Sequence, residues 1–178
     1  MIIGISGISG SGKTTVGKIL ATDIDGKFID QDLFFKKRKP LIKVSNGETK
    51  LNYDCDEAID IKAMNDAIRS ASKEKKYVVI SGFSLRDYFF DDNTRPHIHF
   101  HLRIPKELSL KTRLKVKNFS ENRKKSEKCM FDEYVYPYYI TTIHKSNIDE
   151  FIDVAAKVSD DYVREDIGVI LKIIKSKL

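Results

Sequence analysis

The sequence predicts an α/β protein, a parallel sheet with helices on both of its faces. Two kinds of segment carry that expectation. Short β-branched runs such as Ile2-Ile3 and Val78-Val79-Ile80 read as buried strands. Between them lie stretches whose apolar residues recur at i, i+3 and i+4, the period of a helix packed on one side. Strands alternating with helices at this spacing form βαβ units, which give parallel pairing.

The elements follow in order. Ile2, Ile3 and Ile5 make the first strand, and Gly7 to Gly12 a glycine- and serine-rich loop. Val16, Ile19 and Leu20 mark a helix from Lys13, with Gly26 expected to close it. Lys27 to Asp30 reads as a second strand, and residues 36–52 as a loop containing Pro40 and Asn46-Gly47. Ile61, Met64 and Ile68 form the apolar face of the next helix, with Asp54 or Asp56 as its N-cap. Tyr77–Ile80 and His97–Leu102 are strands three and four, and residues 84–96 carry no clear pattern. Leu108, Leu110 and Leu114 suggest a helix running into a basic stretch, Lys111 to Lys128. The aromatic segment Phe131–His144 is helical in part, and Phe151–Val154 is a fifth strand. Ser159 caps a last helix carrying Val163, Ile167, Ile170, Leu171 and Ile174.

Composition narrows the class. A chain of 178 residues is one domain of ordinary size. With 41% hydrophobic and 33% charged residues it is a folded, water-soluble protein and not a disordered one. The net charge of +6 suits a phosphorylated small molecule but does not select one. Cys55 and Cys129 have neither disulfide-framework nor zinc spacing, so a reducing compartment, the cytoplasm, is expected. Neither a membrane span nor a signal peptide is expected at the N-terminus.

Gly7-Ile8-Ser9-Gly10-Ser11-Gly12-Lys13-Thr14 matches G-x-x-x-x-G-K-[ST], after a strand and before a helix. Glycines let successive N–H groups turn inward as an anion nest, and the helix adds its positive end. Gly7, Ser9, Gly10, Ser11, Gly12, Lys13, Thr14 and Thr15 are the expected ATP-binding residues. Lys13 sets a cation against the β- and γ-phosphates, and Thr14 offers a hydroxyl to Mg²⁺. The fold class is therefore a P-loop NTPase, with ATP and Mg²⁺ as cofactors. Switch GTPases, motor ATPases and small-molecule kinases all share this loop.

Asp30-Gln31-Asp32 ends the second strand, and strand carboxyl ends face the ligand crevice in a parallel sheet. A carboxylate near phosphates is costly unless it acts on a proton or a metal.

Phe28-Ile29-Asp30-Gln31-Asp32-Leu33-Phe34-Phe35-Lys36 resembles the strand-end signature of nicotinamide riboside kinases, in the uridine-kinase-like branch of P-loop kinases. Leu51-Asn52-Tyr53-Asp54 resembles their ribose-binding segment, Val79-Ile80-Ser81-Gly82-Phe83 their third strand, and Met130 to Pro137 the segment after the lid. The resemblance spans roughly residues 1–145 and is collinear. It implies five parallel strands in the order 2-3-1-4-5, a small lid at roughly 111–128, and a single kinase domain over 1–178. It also implies that Asp32 is the general base, that Asp54 binds the ribose diol, that Tyr53 stacks on the base and that Arg113 contacts the substrate. Phe119 is the expected opposite aromatic wall. Leu33, Ser81, Thr112 and Val116 depart from the family pattern, Ser81 by replacing a carboxylate linked to Mg²⁺. Asp30 is the nearest candidate to take over that task, so Thr14 and Asp30 are the expected metal-site residues.

Three further features are assigned plainer roles. His97, His99 and His101 alternate, and two of them could share a metal at about 6.6 Å along a strand. No further ligand is identifiable, so they read as a polar strand face packed on a helix. The basic run is a mobile lid for Arg113 to Lys117 and a solvated face beyond. Cys55 is a packed thiol. The expected activity is transfer of the γ-phosphoryl of ATP to a ribonucleoside 5′-hydroxyl, nicotinamide riboside first. A uridine or cytidine kinase and a non-catalytic nucleotide switch are the alternatives, the latter opposed by the lack of an Asn-Lys-x-Asp motif. A monomer is expected, binding neither nucleic acid nor membrane.

Overall fold

A computed structural model describes residues 1–116, 120–154 and 162–178. Chain order runs β1 (Ile2–Gly7), α1 (Lys13–Asp23), β2 (Lys27–Asp30), β3 (Leu41–Lys43), β4 (Thr49–Leu51), α2 (Ile61–Glu74) and β5 (Val78–Gly82). It continues with β6 (Ile98–Arg103), α3 (Lys106–Val116), α4 (Glu121–Met130), α5 (Tyr136–Thr142), β7 (Glu150–Asp153) and α6 (Tyr162–Lys175). Five parallel strands form the main sheet in the order β2-β5-β1-β6-β7. With β3 and β4 left out of the count, this is the expected 2-3-1-4-5 arrangement of a P-loop NTPase fold.

The sheet buries both faces, as its β-branched strands require. Ile3, Ile5, Val79, Phe100 and Leu102 share one core with Val16 and Leu20 of α1 and Ile170 and Ile174 of α6. Ile2, Ile29, Val78 and Ile80 share the other with Met64 and Ile68 of α2. Fully burying each such side chain contributes about 1.5–3 kcal/mol. The register sets Asp30 beside Ser81, and Ser6 beside Gly82 on one side and His101 on the other.

Several local expectations are corrected. Asp25, not Gly26, takes the left-handed position after α1, with φ 50°. Gly26 N–H bonds Ala21 O at 2.7 Å and Asp25 N–H bonds Thr22 O at 3.3 Å, the paired bonds that satisfy a helix's last carbonyls. Residues 36–52 contain an antiparallel hairpin, β3–β4, turning at Asn46-Gly47 with Gly47 at φ 87°. Its strands are too short to show a period. The α2 N-cap is Asp60, whose carboxylate accepts from Ala63 N–H at 3.0 Å, and not Asp54 or Asp56. Between α4 and α5, Phe131–Val135 form a π-helical turn just before Pro137, which cannot donate to the preceding turn. The expected Ser159 cap and Phe119 lie outside the described residues.

The three strand histidines separate by partner. His97 Nδ1 accepts from Ile2 N–H at 3.0 Å. His99 Nδ1 faces Asn147 O at 3.0 Å and must donate, so its Nε2 accepts from Ser6 Oγ at 2.6 Å. Ser6 has a single proton, so it accepts from His101 Nδ1 at 2.7 Å. His101 Nε2 is then left to accept from the Tyr139 hydroxyl of α5 at 2.8 Å. This is the expected polar face against a helix, and every ring nitrogen of His99 and His101 is occupied. Among the described residues no group of three His, Cys, Asp or Glu side chains could hold a metal. No helix among them is long and apolar enough to cross a membrane.

Candidate active site

The phosphate loop is shaped by its backbone. Gly10 and Gly12 have φ 84° and 83°, the left-handed region that side chains other than glycine rarely adopt. Helix α3 clamps the loop from outside, where Ser109 Oγ donates to Ser9 O at 2.6 Å. Ser11 Oγ is buried in the loop with no hydrogen-bond partner among the described residues. A buried hydroxyl left so costs about 1–3 kcal/mol, and a phosphate oxygen would satisfy it. The loop at the start of α1 therefore fits a polyphosphate. Thr15, in the first turn of α1, is exposed.

A cleft of about 200 Å³ opens beside this loop. It is lined by Ser9, Lys13, Asp32, Tyr53, Asp54 and Arg113 among others, bringing together residues spread over a hundred positions. Burial pulls the Lys13 pKa below its ordinary value, while the carboxylates of Asp32, Asp30 and Asp54 oppose that fall. All three acidic residues thus act electrostatically on the loop lysine. Asp32 is exposed in the 3₁₀ turn Gln31–Phe34. Asp30 caps that turn, its Oδ1 accepting from Asp32 N–H at 3.2 Å.

The expected metal-site residues lie beside the loop. Thr14 Oγ1 is 3.5 Å from Ser81 Oγ, and Ser81 is fully buried and in register with Asp30. A hydroxyl and one nearby carboxylate suit Mg²⁺, which keeps most of its waters and takes few protein ligands. Were Mg²⁺ bound here, Thr14 and Asp30 are the residues placed to hold it.

The acceptor side is more charged than expected. Arg113, only 6% exposed, donates to Asp54 at 3.2 Å and lies 3.5 Å from Glu127, which also pairs with Lys50 at 3.0 Å. Burial opposes the guanidinium charge, but the Asp54 and Glu127 carboxylates outweigh it and hold its pKa above the ordinary value. Tyr53 is 42% exposed, edge-on to Phe35 at 5.1 Å, and lies under Lys39 Nζ at 4.8 Å. Cys55 lines the cleft, but burial pushes its thiol up to about 11, so it is no nucleophile.

Sequence reasoning missed part of the wall: Phe35, Asp56, Phe83, Phe89 and Tyr138. Phe35 sits in the Gln-Asp segment and Asp56 two residues after Asp54, so both were within reach. Phe83 ends the third-strand segment, while Phe89 and Tyr138 arrive from stretches with no readable period.

Comparison with known proteins shows likeness in sequence and in fold. Human nicotinamide riboside kinase 1 is 38% identical over 81 residues, covering 45% of this chain and 40% of that protein. Cytidylate kinase from Sulfurisphaera tokodaii is 36% identical over 95 residues, 49% of this chain and 50% of that protein. The matched segments thus span half or less of these relatives. The shikimate kinase structure from Bacteroides thetaiotaomicron superposes with a TM-score of 0.52 over 98% of both chains at 15% identity, a likeness of fold. A family model described as an AAA domain matches residues 3–133, and with that span covered the chain belongs to this family of P-loop proteins.

Proposed function

We propose that the chain is a small-molecule kinase that transfers the γ-phosphoryl group of ATP to the 5′-hydroxyl of a ribonucleoside, nicotinamide riboside first. One observation carries the reading: Lys13 and Asp32 share a single cleft with Tyr53, Asp54 and Arg113. The similarity to a nicotinamide riboside kinase supports the acceptor. A cytidine-type acceptor is the second reading, favoured by the similarity to a cytidylate kinase.

In the proposed reaction the acceptor oxygen attacks the γ-phosphorus, the bond to the β–γ bridging oxygen breaks, and ADP leaves. Asp32 takes the hydroxyl proton. Lys13 offsets charge on the β- and γ-phosphates, and the loop amides hold them in line. Asp54 accepts from the two ribose hydroxyls, a task suited to an acceptor-only group. Tyr53 and the other cleft aromatics flank the base. Mg²⁺, when bound, neutralises charge on the β- and γ-phosphates. The segment at 111–128 would act as the lid that brings Arg113 over the substrate, within one kinase domain over 1–178.

The test is ATP consumption with nicotinamide riboside, uridine, cytidine and no acceptor, run side by side. Acceptor-dependent ADP formation with a ribonucleoside is expected. Equal consumption in all four arms would favour a simple ATPase, and none in any arm a non-catalytic nucleotide switch.

A further inference from the structure

Asp56 is held more tightly than a loop carboxylate needs to be. Its Oδ2 accepts from Arg86 Nη1 at 2.7 Å and from the Tyr88 hydroxyl. Its backbone N–H donates to the Tyr138 hydroxyl at 3.1 Å. Arg86 is 1% exposed, donates from Nε to Ser84 Oγ at 2.9 Å, and stacks 4.8 Å from the centre of the Tyr138 ring. Two residues at the core of this cluster, Asp56 and Tyr138, line the cleft that also holds Lys13 and Asp32.

The cluster is poorly explained by stability. A buried ion pair seldom outperforms apolar residues of the same volume. Arg86 Nη2 is also buried with no hydrogen-bond partner among the described residues. The Tyr138 hydroxyl also lies against the Asp56 carboxylate. A carboxylate held in place by Arg86 and Tyr88 through Oδ2, on a cleft wall and with lone pairs beyond those two bonds, is a preorganised acceptor.

We propose that Asp56 is a specificity-determining residue that accepts a hydrogen bond from an N–H group, an amide or an exocyclic amine, on the acceptor's ring. The proposal rests on the nucleoside reading above. A carboxylate is acceptor-only, so a carbonyl or carboxylate at the same place on the ligand meets lone pairs and repulsion. Arg86 already offsets the charge of Asp56, so a neutral donor suffices. Phe35, Phe83, Phe89 and Tyr138 supply apolar walls for a planar ring around it.

The test compares acceptor pairs of one shape that differ in donor and acceptor: cytidine against uridine, and nicotinamide riboside against nicotinic acid riboside. The donor-bearing member of whichever pair is used should be preferred about tenfold or more in kcat/KM. Asp56→Asn, whose amide can face either way, should bring the ratio to within about threefold, chiefly through KM for the better acceptor. Asp56→Glu keeps the charge beside Arg86 but displaces the oxygen, and should also reduce the ratio. Each ratio is measured within one preparation, so a partly unfolded variant does not alter it. Ribonucleoside turnover with a ratio near one in the wild type, or a ratio unchanged in both variants, overturns this proposal and leaves the nucleoside reading standing. If no ribonucleoside reacts, glucuronate and glucuronamide are compared. Turnover there overturns the nucleoside reading, and preference for the acid overturns Asp56's role too. Preference for the amide, erased by Asp56→Asn, upholds it. Turnover of none of these acceptors overturns both.

Discussion

Arg113 reaches from α3 to Asp54, with Nη2 3.2 Å and Nη1 3.4 Å from the two oxygens of one carboxylate. Their side chains are 5% and 11% exposed, so each charge is buried against the other. The residue proposed to hold the ribose is thus already coupled to the residue proposed to cover it. Asp54→Ala should cost roughly 2–4 kcal/mol in kcat/KM for a ribonucleoside, and the wild type should discriminate against 2′-deoxy acceptors. In a double-mutant cycle with Asp54→Asn and Arg113→Gln the losses should be non-additive. Additive losses would mean that the two residues act independently, and equal use of ribo- and deoxyribonucleosides would remove Asp54 from the diol.

Lys13 and Asp32 act on opposite partners in the proposed reaction, and their variants should differ accordingly. Lys13→Ala should abolish transfer without unfolding the chain. Asp32→Asn should leave ATP and acceptor binding largely intact while kcat falls by about 10²-fold or more. Calorimetric titration of both ligands, set beside steady-state rates, separates the cases. Loss of binding with little change in kcat would make Asp32 a structural or metal residue.

Ser81 lies 3.5 Å from the Thr14 hydroxyl and carries no charge, whereas Asp30 beside it does. Asp30→Ala should therefore raise the Mg²⁺ concentration for half-maximal activity, and Ser81→Ala should do little. Ser81→Glu should lower that concentration or leave it unchanged. A silent Asp30→Ala would remove this carboxylate from the metal's water shell.

His99 and His101 make the fold sensitive to acid. Burial pushes His99 down to about 4, against the opposing Asn147 bond and the Asp149 and Asp87 charges. Burial, with the charges of His99, Arg103 and Lys13, pushes His101 down to about 3. Both folded values lie below the unfolded one, so the unfolded chain binds the extra protons. Their stabilisation is complete above about pH 6.5 and is lost as pH falls through that value toward 4 and 3. Each should contribute a slope of roughly 1.4 kcal/mol per pH unit in that window. Urea unfolding between pH 7 and 5 should show about half the histidine-derived slope in His101→Asn. Identical slopes in variant and wild type would refute the assignment.

Much of the architecture was legible because it is local. The β-branched run Ile2–Ile5, the Gly7–Thr14 loop and the Val16–Leu20 stripe report strand, nest and helix from neighbours in the chain, and periodicity alone orders them. Lys13 was read from the phosphate-loop motif, and Asp32, Tyr53 and Asp54 from the resemblance to nicotinamide riboside kinases. What the tertiary structure decided depends on groups distant in sequence. Asp54 meets Arg113 across 59 positions, Asp56 meets Arg86 across 30, and Ser6 meets His99 and His101 across 93 and 95. Each of these polar groups would also be satisfied by water on an open chain. Only the packing that buries them forces a choice of partner, because a buried charge or hydroxyl left unpaired costs more than the bond itself returns.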